Sequence, residues 1–369
     1  MIFNDYTSIL IYLAVFALSI LGIYLGEKKK IRSFTILGLL VIVIFAAIRF
    51  KTGTDTENYR AFYEQVSTGG IERGMARFKS GEMEPFIIVT AIVGGFLNLG
   101  EWFMFGLFAF ITIYCIYKTV KNFDDKNYWV LYGAVLFMVF PNSLNTMRQM
   151  AAMSVLMYLL SLIVNSMIRK NEKVGKLRTL LLILLAISLH YASFALLPIL
   201  LVPYVTRKFG YHKTFYILGI LVIFIITLYK PALLILTNSN ILPAKHYSTF
   251  VDTEGSLLNF NFLICGLMAI IGGFHYRRHK NKNHLNENNL PIIMMGVAYS
   301  AIGFYSGYLG RLADFFWPYA VLMMWNILLE TDEPQHRKII FLYGTAIAYF
   351  FLAFVIMGNN KLLPYGIIF

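Results

Sequence analysis

Long apolar blocks, separated by short polar and basic segments, constrain the fold of this chain more than any other feature. They lie at about residues 6–25, 34–50, 85–117, 128–145, 149–168, 179–203, 214–230, 257–275, 291–309, 312–330 and 339–357. A transmembrane helix needs about 20 predominantly apolar residues. Charged residues make up only 14% of the chain, whereas soluble proteins carry about 25%. The sequence therefore predicts an all-α, polytopic integral membrane protein with about 10–12 transmembrane helices, one or two of them partial or re-entrant.

Clusters of basic residues between the blocks predict the orientation of the chain. These clusters hold most of the 32 Lys and Arg residues and lie at Lys28–Arg32, Lys118–Lys126, Arg169–Arg178, Arg207–Lys213, Arg277–Lys282 and Arg337–Lys338. Positively charged loops stay in the cytoplasm, so the loops at about 50–84 and 231–256 and the segment 358–369 face outward. The net charge of +13 does not indicate nucleic-acid binding, because the basic residues are dispersed among the loops.

This orientation makes two blocks depart from a simple crossing. Block 179–203 has cytoplasmic segments on both sides and is too short for two spans, so we predict that it enters the membrane and turns back near His190. Block 85–117 is predicted to form a dipping segment and then one full crossing, with the break at Gly94, Gly95, Asn98, Gly100 and Glu101. In the alternative interpretation, one basic loop departs from the orientation rule and the number of spans changes by about two.

We treat residues 1–369 as a single transmembrane domain with two long outward loops. The first apolar block has no basic segment before it and no cleavage site of small residues after it, which is typical of a retained span and not of a signal peptide.

Within the loop 50–84, Thr54 and Glu57 have the spacing of a capping box, so we predict a short helix at 54–66.

Ionisable residues at or inside the apolar blocks are the first candidates for function, because each costs about 2.5–3.5 kcal/mol on insertion. Arg148 lies at the start of a predicted helix, where the helix dipole favours an anion. An anionic ligand would explain a cation there, and snorkelling to the headgroups is the alternative. Arg311 is followed three positions later by Asp314, so it forms either an internal salt bridge or a bidentate site for phosphate.

Arg49 ends the second block, and Lys51, Asp55 and Tyr59 follow it in the outward loop. Arg49 either binds a ligand or snorkels to the headgroups, and Asp55 either contacts a ligand or only caps the short helix.

His190 lies in the middle of an apolar block. It is either a hydrogen-bonded packing residue or a general base or ligand for a substrate oxygen, since imidazole exchanges protons near neutral pH.

Motifs of several other enzyme classes are absent from the sequence, including a nucleotide-binding loop, HExxH and GxSxG. Cys115 and Cys265 lie in separate apolar blocks, so we expect neither a disulfide nor a cysteine metal site. Asp314 is the only carboxylate well inside a block, which argues against a proton-driven transporter. The outward cations therefore indicate an anionic substrate that is already activated and already in the membrane, most simply a lipid diphosphate.

Five short stretches resemble motifs of the EpsG-like family of bacterial polysaccharide polymerases, a branch of the Wzy-type polymerases. They are IRFKTGTDTENY at 48–59, GEMEPF at 81–86, NTMRQMAA at 145–152, LAISLHYASF at 185–194 and, more weakly, GRLADFF at 310–316. They occur in the expected order over most of the chain, and their specificity lies in the series. Thr56 departs from the family pattern, which often has an aromatic residue there, whereas Asp55 and Tyr59 are in place.

The resemblance implies a GT-C-like, multi-pass glycosyltransferase of the bacterial plasma (inner) membrane. Such enzymes join oligosaccharide repeat units carried on undecaprenyl diphosphate into capsular, exo- or O-antigen polysaccharide at the outer face of the membrane. The growing chain leaves its lipid, so the departing group is undecaprenyl diphosphate. The implied partners are this lipid-linked oligosaccharide and membrane lipid, with a chain-length regulator and a flippase as candidate protein partners and no nucleic acid.

Within that chemistry, we predict that Arg148 and Arg311 stabilise the leaving diphosphate and that Arg49 assists. Preorganised cations aimed at a developing negative charge are usually the largest catalytic effect. We expect no metal and no cofactor, because arginine can neutralise the diphosphate.

His190 is the predicted base for the acceptor hydroxyl, and Asp55 and Glu84 are the alternatives. The residues predicted to bind substrate are Arg49, Lys51, Asp55, Tyr59, Glu84, His246 and Tyr247. Two other functions use the same kind of site: a glycan ligase with the same donor, and a non-enzymatic flippase or exporter of lipid-linked oligosaccharide. A flippase should carry charge at several depths, whereas the charges here lie on one predicted side, which favours the enzyme.

Overall fold

A computed structural model describes residues 1–80, 83–124, 126–169, 174–238, 260–278, 284–303 and 310–368. In this part of the chain, β-structure is limited to two isolated antiparallel bridges. The α-helices are α1 (Asp5–Lys29), α2 (Arg32–Ala47), α3 (Thr56–Lys79), α4 (Pro85–Phe96), α5 (Glu101–Phe123), α6 (Tyr128–Met138), α7 (Phe140–Ser143), α8 (Met147–Arg169), α9 (Lys176–Leu189), α10 (Ser193–Leu196), α11 (Val202–Asn238), α12 (Phe260–Arg278), α13 (His284–Ile302), α14 (Trp317–Leu329) and α15 (Gln335–Phe350). A π-helix follows at Phe351–Ile356, and 3-10 segments lie at Leu197–Leu201, Arg311–Phe316 and Asn359–Lys361.

Several of these helices are long and apolar enough to cross a membrane, which confirms the predicted class of all-α, polytopic membrane protein. Among the described residues they are Asp5–Lys29, Glu101–Phe123, Met147–Met167, Arg311–Leu329 and Gln335–Ile356. Shorter apolar helices lie at Arg32–Ala47, Pro85–Phe96, Tyr128–Met138, Phe262–His275 and Asn289–Ile302. The predicted total of about 10–12 spans, which counts helices below the usual length of about 20 residues, stays a prediction.

Both predicted breaks in the apolar blocks are present. In block 85–117, α4 ends at Phe96 and α5 begins at Glu101. The 12 residues of α4 rise about 18 Å, which is less than the roughly 30 Å of the hydrocarbon core. In block 179–203, α9 ends at Leu189, and His190 has extended backbone angles, with φ −161° and ψ 124°. The return of this block to the same side of the membrane stays a prediction.

The helix predicted at 54–66 is present but longer than expected, and the predicted capping box is wrong. Helix α3 has Asp55 as its N-cap, with no capping hydrogen bond from a side chain, and it bends at Gly70 (φ 60°, ψ −153°) before continuing to Lys79. Thr54 Oγ1 donates to Asn145 Oδ1 at 2.9 Å. The hydroxyl is therefore used to join two loops instead of capping the helix.

The second predicted outward loop, 231–256, is only partly described. Its first residues, up to Asn238, continue helix α11, and the outward position of this segment stays a prediction. Residues 239–256 lie outside the described part of the chain, and the predicted substrate-binding residues His246 and Tyr247 fall in that range.

The chain divides into two compact units. The first comprises Met1–Leu162, Val174–Phe194 and Ile339–Phe369, and the second comprises Ile163–Lys173 and Ala195–Lys338. In the first unit α1 packs on α2, α2 on α5, and α3 on α4, and in the second unit α13 packs against α11 and α12. The single transmembrane domain stays a prediction.

A C-terminal segment fixes the backbone around Arg49 in the first unit. Phe50 N–H donates to Gly366 O at 2.7 Å, and Ile368 N–H donates to Ile48 O at 2.8 Å. Arg49 itself forms an antiparallel bridge with Ile367. The residues that join α2 to the outward loop are therefore held in place from both ends of the described chain, since the N-terminal residues pair with the same segment.

Candidate functional site

Three of the predicted site residues, Glu84, Arg148 and His190, meet in the first unit. Glu84 is only 4% exposed, and its two carboxylate oxygens face different partners. Oε2 accepts a hydrogen bond from Arg148 Nη1. Oε1 lies 2.5 Å from His190 Nδ1. A buried carboxylate thus joins an arginine and a histidine that are far apart in the sequence.

Each of these side chains is carried by the end of a helix. Glu84 is the N-cap of α4 and is followed by Pro85, a residue whose fixed φ suits the first position of a helix. Arg148 is the second residue of α8. His190 comes directly after α9, and its carbonyl accepts a hydrogen bond from Ser193 Oγ at 2.7 Å. Helix ends therefore position all three groups.

Glu84 is ionised at neutral pH. Burial alone would raise the pKa of Glu84, but the hydrogen bond with His190 and the charge of Arg148 outweigh burial and lower this pKa to about 2. A carboxyl group with so low a pKa is a weak proton acceptor at neutral pH. The low pKa of Glu84 therefore disfavours it as the alternative base.

The charge of Glu84 also fixes the tautomer of His190. An ionised carboxylate can only accept hydrogen bonds, so His190 Nδ1 must donate to it. The lone pair of the neutral ring then lies on Nε2, for which the described residues provide no hydrogen-bond partner. The side chain of His190 is 25% exposed. His190 is thus oriented as a base with its acceptor nitrogen open.

Arg148 is paired inside the protein and does not reach for lipid headgroups, so the snorkelling alternative is wrong. Its side chain is 19% exposed, and its Nε donates to the hydroxyl of Tyr59 at 3.5 Å. Glu84 supplies an anion at the start of α8, which explains a cation there without a ligand. Part of the guanidinium is still accessible, because Nη2 has no hydrogen-bond partner among the described residues.

Arg49 is buried, which contradicts both snorkelling and direct binding of a ligand in this conformation. It is 1% exposed, and its guanidinium lies 4.0 Å from the centroid of the Phe105 ring. Nη1 donates to Ala46 O at 2.6 Å, and Nη2 lies 3.7 Å from the sulfur of Met147. Arg49 therefore contacts the residue next to Arg148 and supports the site from inside.

Asparagine side chains that the sequence analysis did not select tie three loops together beside Arg148. Asn145 Oδ1 accepts from Asp55 N–H at 2.9 Å, and Asn145 Nδ2 donates to Asn360 Oδ1 at 3.1 Å. Asn360 Nδ2 donates to Asn142 Oδ1 at 2.8 Å. Asn145 belongs to the quoted stretch NTMRQMAA, but only its long-range contacts distinguish it. Nothing in the sequence near Asn360 indicates this pairing.

The outward residues predicted to bind substrate border this network. Asp55 is half-buried, and its carboxylate receives only a long hydrogen bond of 3.5 Å from Thr54 Oγ1 within the described residues. Since Asp55 makes no capping hydrogen bond, the capping alternative is wrong. Lys51 is exposed and has a positive φ of 51°. Tyr59 is buried one helical turn after Asp55.

Arg311 belongs to the second unit. It begins a 3-10 segment that leads into α14, so its predicted place at the start of a late span is confirmed. Arg311 and Asp314 both make interactions, and the role of Arg311 in binding diphosphate stays a prediction. Among the described residues, no group of three His, Cys, Asp or Glu side chains could hold a metal ion.

The arrangement in the first unit combines two chemical capacities. His190 can take a proton at Nε2 while Glu84 stabilises the charged ring, as in other histidine–carboxylate pairs. Arg148 can donate to an anion through Nη2 while Glu84 and Tyr59 hold its other nitrogens. A base and a cation connected through one buried carboxylate suit a reaction that removes a proton and develops negative charge on a leaving group.

Comparison with known proteins identifies the family. The EpsG family matches residues 31–367, nearly the whole chain. No curated protein and no solved structure matches the chain. The matched family is of the polysaccharide polymerase type. The chain therefore belongs to the EpsG family.

Proposed function

We propose that this protein joins oligosaccharide repeat units carried on undecaprenyl diphosphate into a capsular, exo- or O-antigen polysaccharide at the outer face of the plasma membrane. The observation that carries the proposal is the buried Glu84, which holds Arg148 on one oxygen and His190 on the other. Membership of the EpsG family supports a polymerase-type activity, and the apolar helices support a substrate that stays in the membrane.

The proposed reaction is a glycosyl transfer. An acceptor hydroxyl on the incoming lipid-linked unit attacks the anomeric carbon of the growing chain. The bond between that carbon and the diphosphate oxygen breaks, and its electron pair leaves with undecaprenyl diphosphate. His190 Nε2 takes the proton of the hydroxyl, and the ionised Glu84 holds the ring in the required tautomer and stabilises the imidazolium.

Arg148 is the proposed cation for the leaving diphosphate. Its Nη2 is available for an oxygen of the diphosphate, and a preorganised guanidinium is already in place when charge develops. Arg311 is the second proposed cation for the leaving diphosphate. Arg49 contacts Met147, the neighbour of Arg148, and its proposed assisting role is to hold Arg148 in place.

Lys51 and Asp55 are the proposed contacts for the acceptor sugar, together with the exposed Lys361 of the C-terminal loop. Carboxylates and ammonium groups bind sugar hydroxyls by charge-assisted hydrogen bonds. The network of Asn145 and Asn360 keeps these loops beside Arg148. His246 and Tyr247 remain candidates for the same role.

Incubation of the purified protein in detergent with a lipid-diphosphate-linked repeat unit tests this function. The expected product is a ladder of longer lipid-linked glycans, and Arg148→Ala should lower its rate by about 10²–10³. Arg311→Ala should have a similar effect. Arg178→Ala is the matched control, because Arg178 is exposed on α9 and its side chain binds Tyr158.

The products distinguish the alternatives. Transfer of glycan only to a different acceptor, with no ladder, would indicate a ligase, whereas intact substrate on the other side of a vesicle membrane would indicate a flippase. Full activity of a folded Arg148→Ala protein would contradict the assigned role of this residue.

A further inference from the structure

An apolar groove lies between α2 and α5 in the first unit. Its volume is about 430 Å³. Residues from both helices line it, among them Val43, Ala47, Ile48, Trp102, Gly106 and Phe110. None of the lining side chains is charged. The groove could therefore hold a flexible apolar chain and offers nothing to a polar ligand.

Gly106 gives the groove its depth. A Cβ atom at Gly106 would lie 3.3 Å from the Cβ of Ala47 and 3.9 Å from Cγ1 of Val43. The two helices are thus close at this point, and any longer side chain on Gly106 would occupy the space between them. Trp102 is 46% exposed and Phe110 is 44% exposed, so the groove opens on an outer face of the unit, which in a membrane protein faces lipid.

The groove has one charged end and one apolar end. At the charged end, Ile48 lies three residues before the exposed Lys51, and Trp102 directly follows Glu101, which accepts a hydrogen bond from Arg60 Nε at 3.0 Å. At the other end, Phe110 lies about 12 Å farther along α5 than Trp102. The groove therefore begins at the level of the charged outward loop and extends toward the middle of the apolar helices.

We propose that this groove binds the isoprenoid chain of the lipid diphosphate donor, next to its diphosphate. This assignment rests on the proposed function, because it requires a prenyl-linked substrate. A prenyl diphosphate has the same polarity as the groove, with a strongly charged head joined to a methyl-branched hydrocarbon chain. The groove is continuous with the loop that carries Lys51, Asp55 and Tyr59. This continuity favours a substrate chain over an ordinary membrane lipid or a helix of another protein.

Photo-crosslinking tests the groove without requiring polymerisation. The probe is a prenyl diphosphate that carries a diazirine on its chain, and it is added to the full-length protein in detergent. We expect the label on residues 43–48 and 102–110. We expect undecaprenyl diphosphate to compete at a concentration at least about tenfold lower than phosphatidylglycerol, which corresponds to about 1.4 kcal/mol of preference.

Two variants make the test specific. Gly106→Leu should fill the groove and lower labelling about tenfold, a loss of roughly 1.4 kcal/mol. Gly344→Leu is its matched control, because Gly344 lies on the exposed face of α15 with open space around it. Trp102→Ala removes one wall at an exposed position and should also weaken labelling. This variant tests the groove even if Gly106→Leu fails to fold.

Measurements of activity distinguish a wrong assignment of the groove from a wrong proposed function. Gly106→Leu should raise the KM for a donor with a long prenyl chain and leave the KM for a donor with only two isoprene units unchanged. Three outcomes would overturn the assignment of the groove while polymerisation still occurs. They are uniform labelling of lipid-facing helices, equal competition by phosphatidylglycerol, and equal behaviour of Gly106→Leu and Gly344→Leu. A wild-type protein that makes no polymer but shows the expected labelling would overturn the function alone.

Discussion

At the scale of single residues, Glu84 determines the state of both its partners. It gives Arg148 a counter-ion and holds His190 in one tautomer. We predict that Glu84→Gln lowers the turnover rate by about 10²–10⁴, because the ring loses its orientation and its charged form is no longer stabilised. Removing one partner of a buried ion pair should also cost about 3–5 kcal/mol of stability.

Glu57→Gln is the control for this prediction. Glu57 is exposed and pairs with Arg60 at 3.4 Å on the same helix, so its loss should change stability by less than about 1 kcal/mol. Turnover and thermal unfolding in detergent measure both effects. Equal losses in the two variants would contradict a special role for Glu84.

The pKa of Glu84 predicts a dependence of stability on pH. Burial would raise this pKa, but the hydrogen bond with His190 and the charge of Arg148 lower it from 4.5 to about 2. A lowered carboxyl pKa stabilises the folded state above the unfolded-state value, and this stabilisation is lost as pH falls toward the folded-state value. We expect the Tm of the wild type to fall between pH 4.5 and pH 2, and to fall less in Glu84→Gln. Parallel curves for the two proteins would refute an ionised Glu84.

The sequence indicated single residues of the site better than it indicated their connections. Arg148 and His190 are conspicuous, because ionisable groups in apolar blocks are costly. Glu84 was only one of several acidic residues in a loop, and its bridging role depends on contacts between α4, α8 and the end of α9. Burial of Arg49 was unpredictable for the same reason, since Phe105 and the C-terminal segment that cover it are distant in sequence.

At the scale of elements, the C-terminal segment holds the end of α2 in place. A Cβ atom on Gly366 would clash with the carbonyl oxygen of Phe50, so the backbone would have to move. We predict that Gly366→Ala destabilises the protein by about 1–3 kcal/mol, as other overpacked substitutions do. Thermal unfolding in detergent measures the effect.

Gly344→Ala is the comparison for Gly366→Ala. Gly344 has open space around it in helix α15, so alanine there should be neutral or stabilise by about 0.5–1 kcal/mol. If Gly366→Ala were as stable as Gly344→Ala, the C-terminal segment would not constrain the loop that carries Arg49.

Element boundaries were predictable where the sequence contains local signals. The glycines at 94, 95 and 100 and the polar residues among them indicated the break between α4 and α5. The first half of α3 was predictable, because Tyr59, Phe62, Tyr63 and Val66 are buried at helical spacing, but its continuation to Lys79 was not predicted. The bend at Gly70 lets the helix continue where the sequence indicated its end.

At the scale of the whole molecule, the orientation of the chain is the main prediction. Loops rich in Lys and Arg should be cytoplasmic, so Lys29→Cys should react with a membrane-impermeant maleimide only after cells are opened. Lys79→Cys, at the end of α3, should react in cells with an intact plasma membrane whose outer layers admit the reagent. The native Cys115 and Cys265 are buried and should give little background. The reverse pattern would place the candidate site in the cytoplasm.

The length of the hydrophobic blocks predicted the class of the molecule. Unpaired backbone N–H and C=O groups are costly in lipid, so long apolar blocks of this kind cross a membrane as helices. It did not predict the division into two compact units. That division depends on which helix faces match, and the short helices α4 and α9 are apolar without being long enough to indicate how they pack.

The most direct test of the central claim compares two products of the purified protein: new glycosidic bonds and released undecaprenyl diphosphate. Both are counted in one reaction with a lipid-diphosphate-linked repeat unit. Group transfer at the cluster of Glu84, Arg148 and His190 predicts equal numbers of the two products in the wild type, and formation of both about 10²–10³ slower in a folded Arg148→Ala protein. Recovery of all substrate with its lipid still attached, after incubation with folded wild-type protein, would contradict the claim.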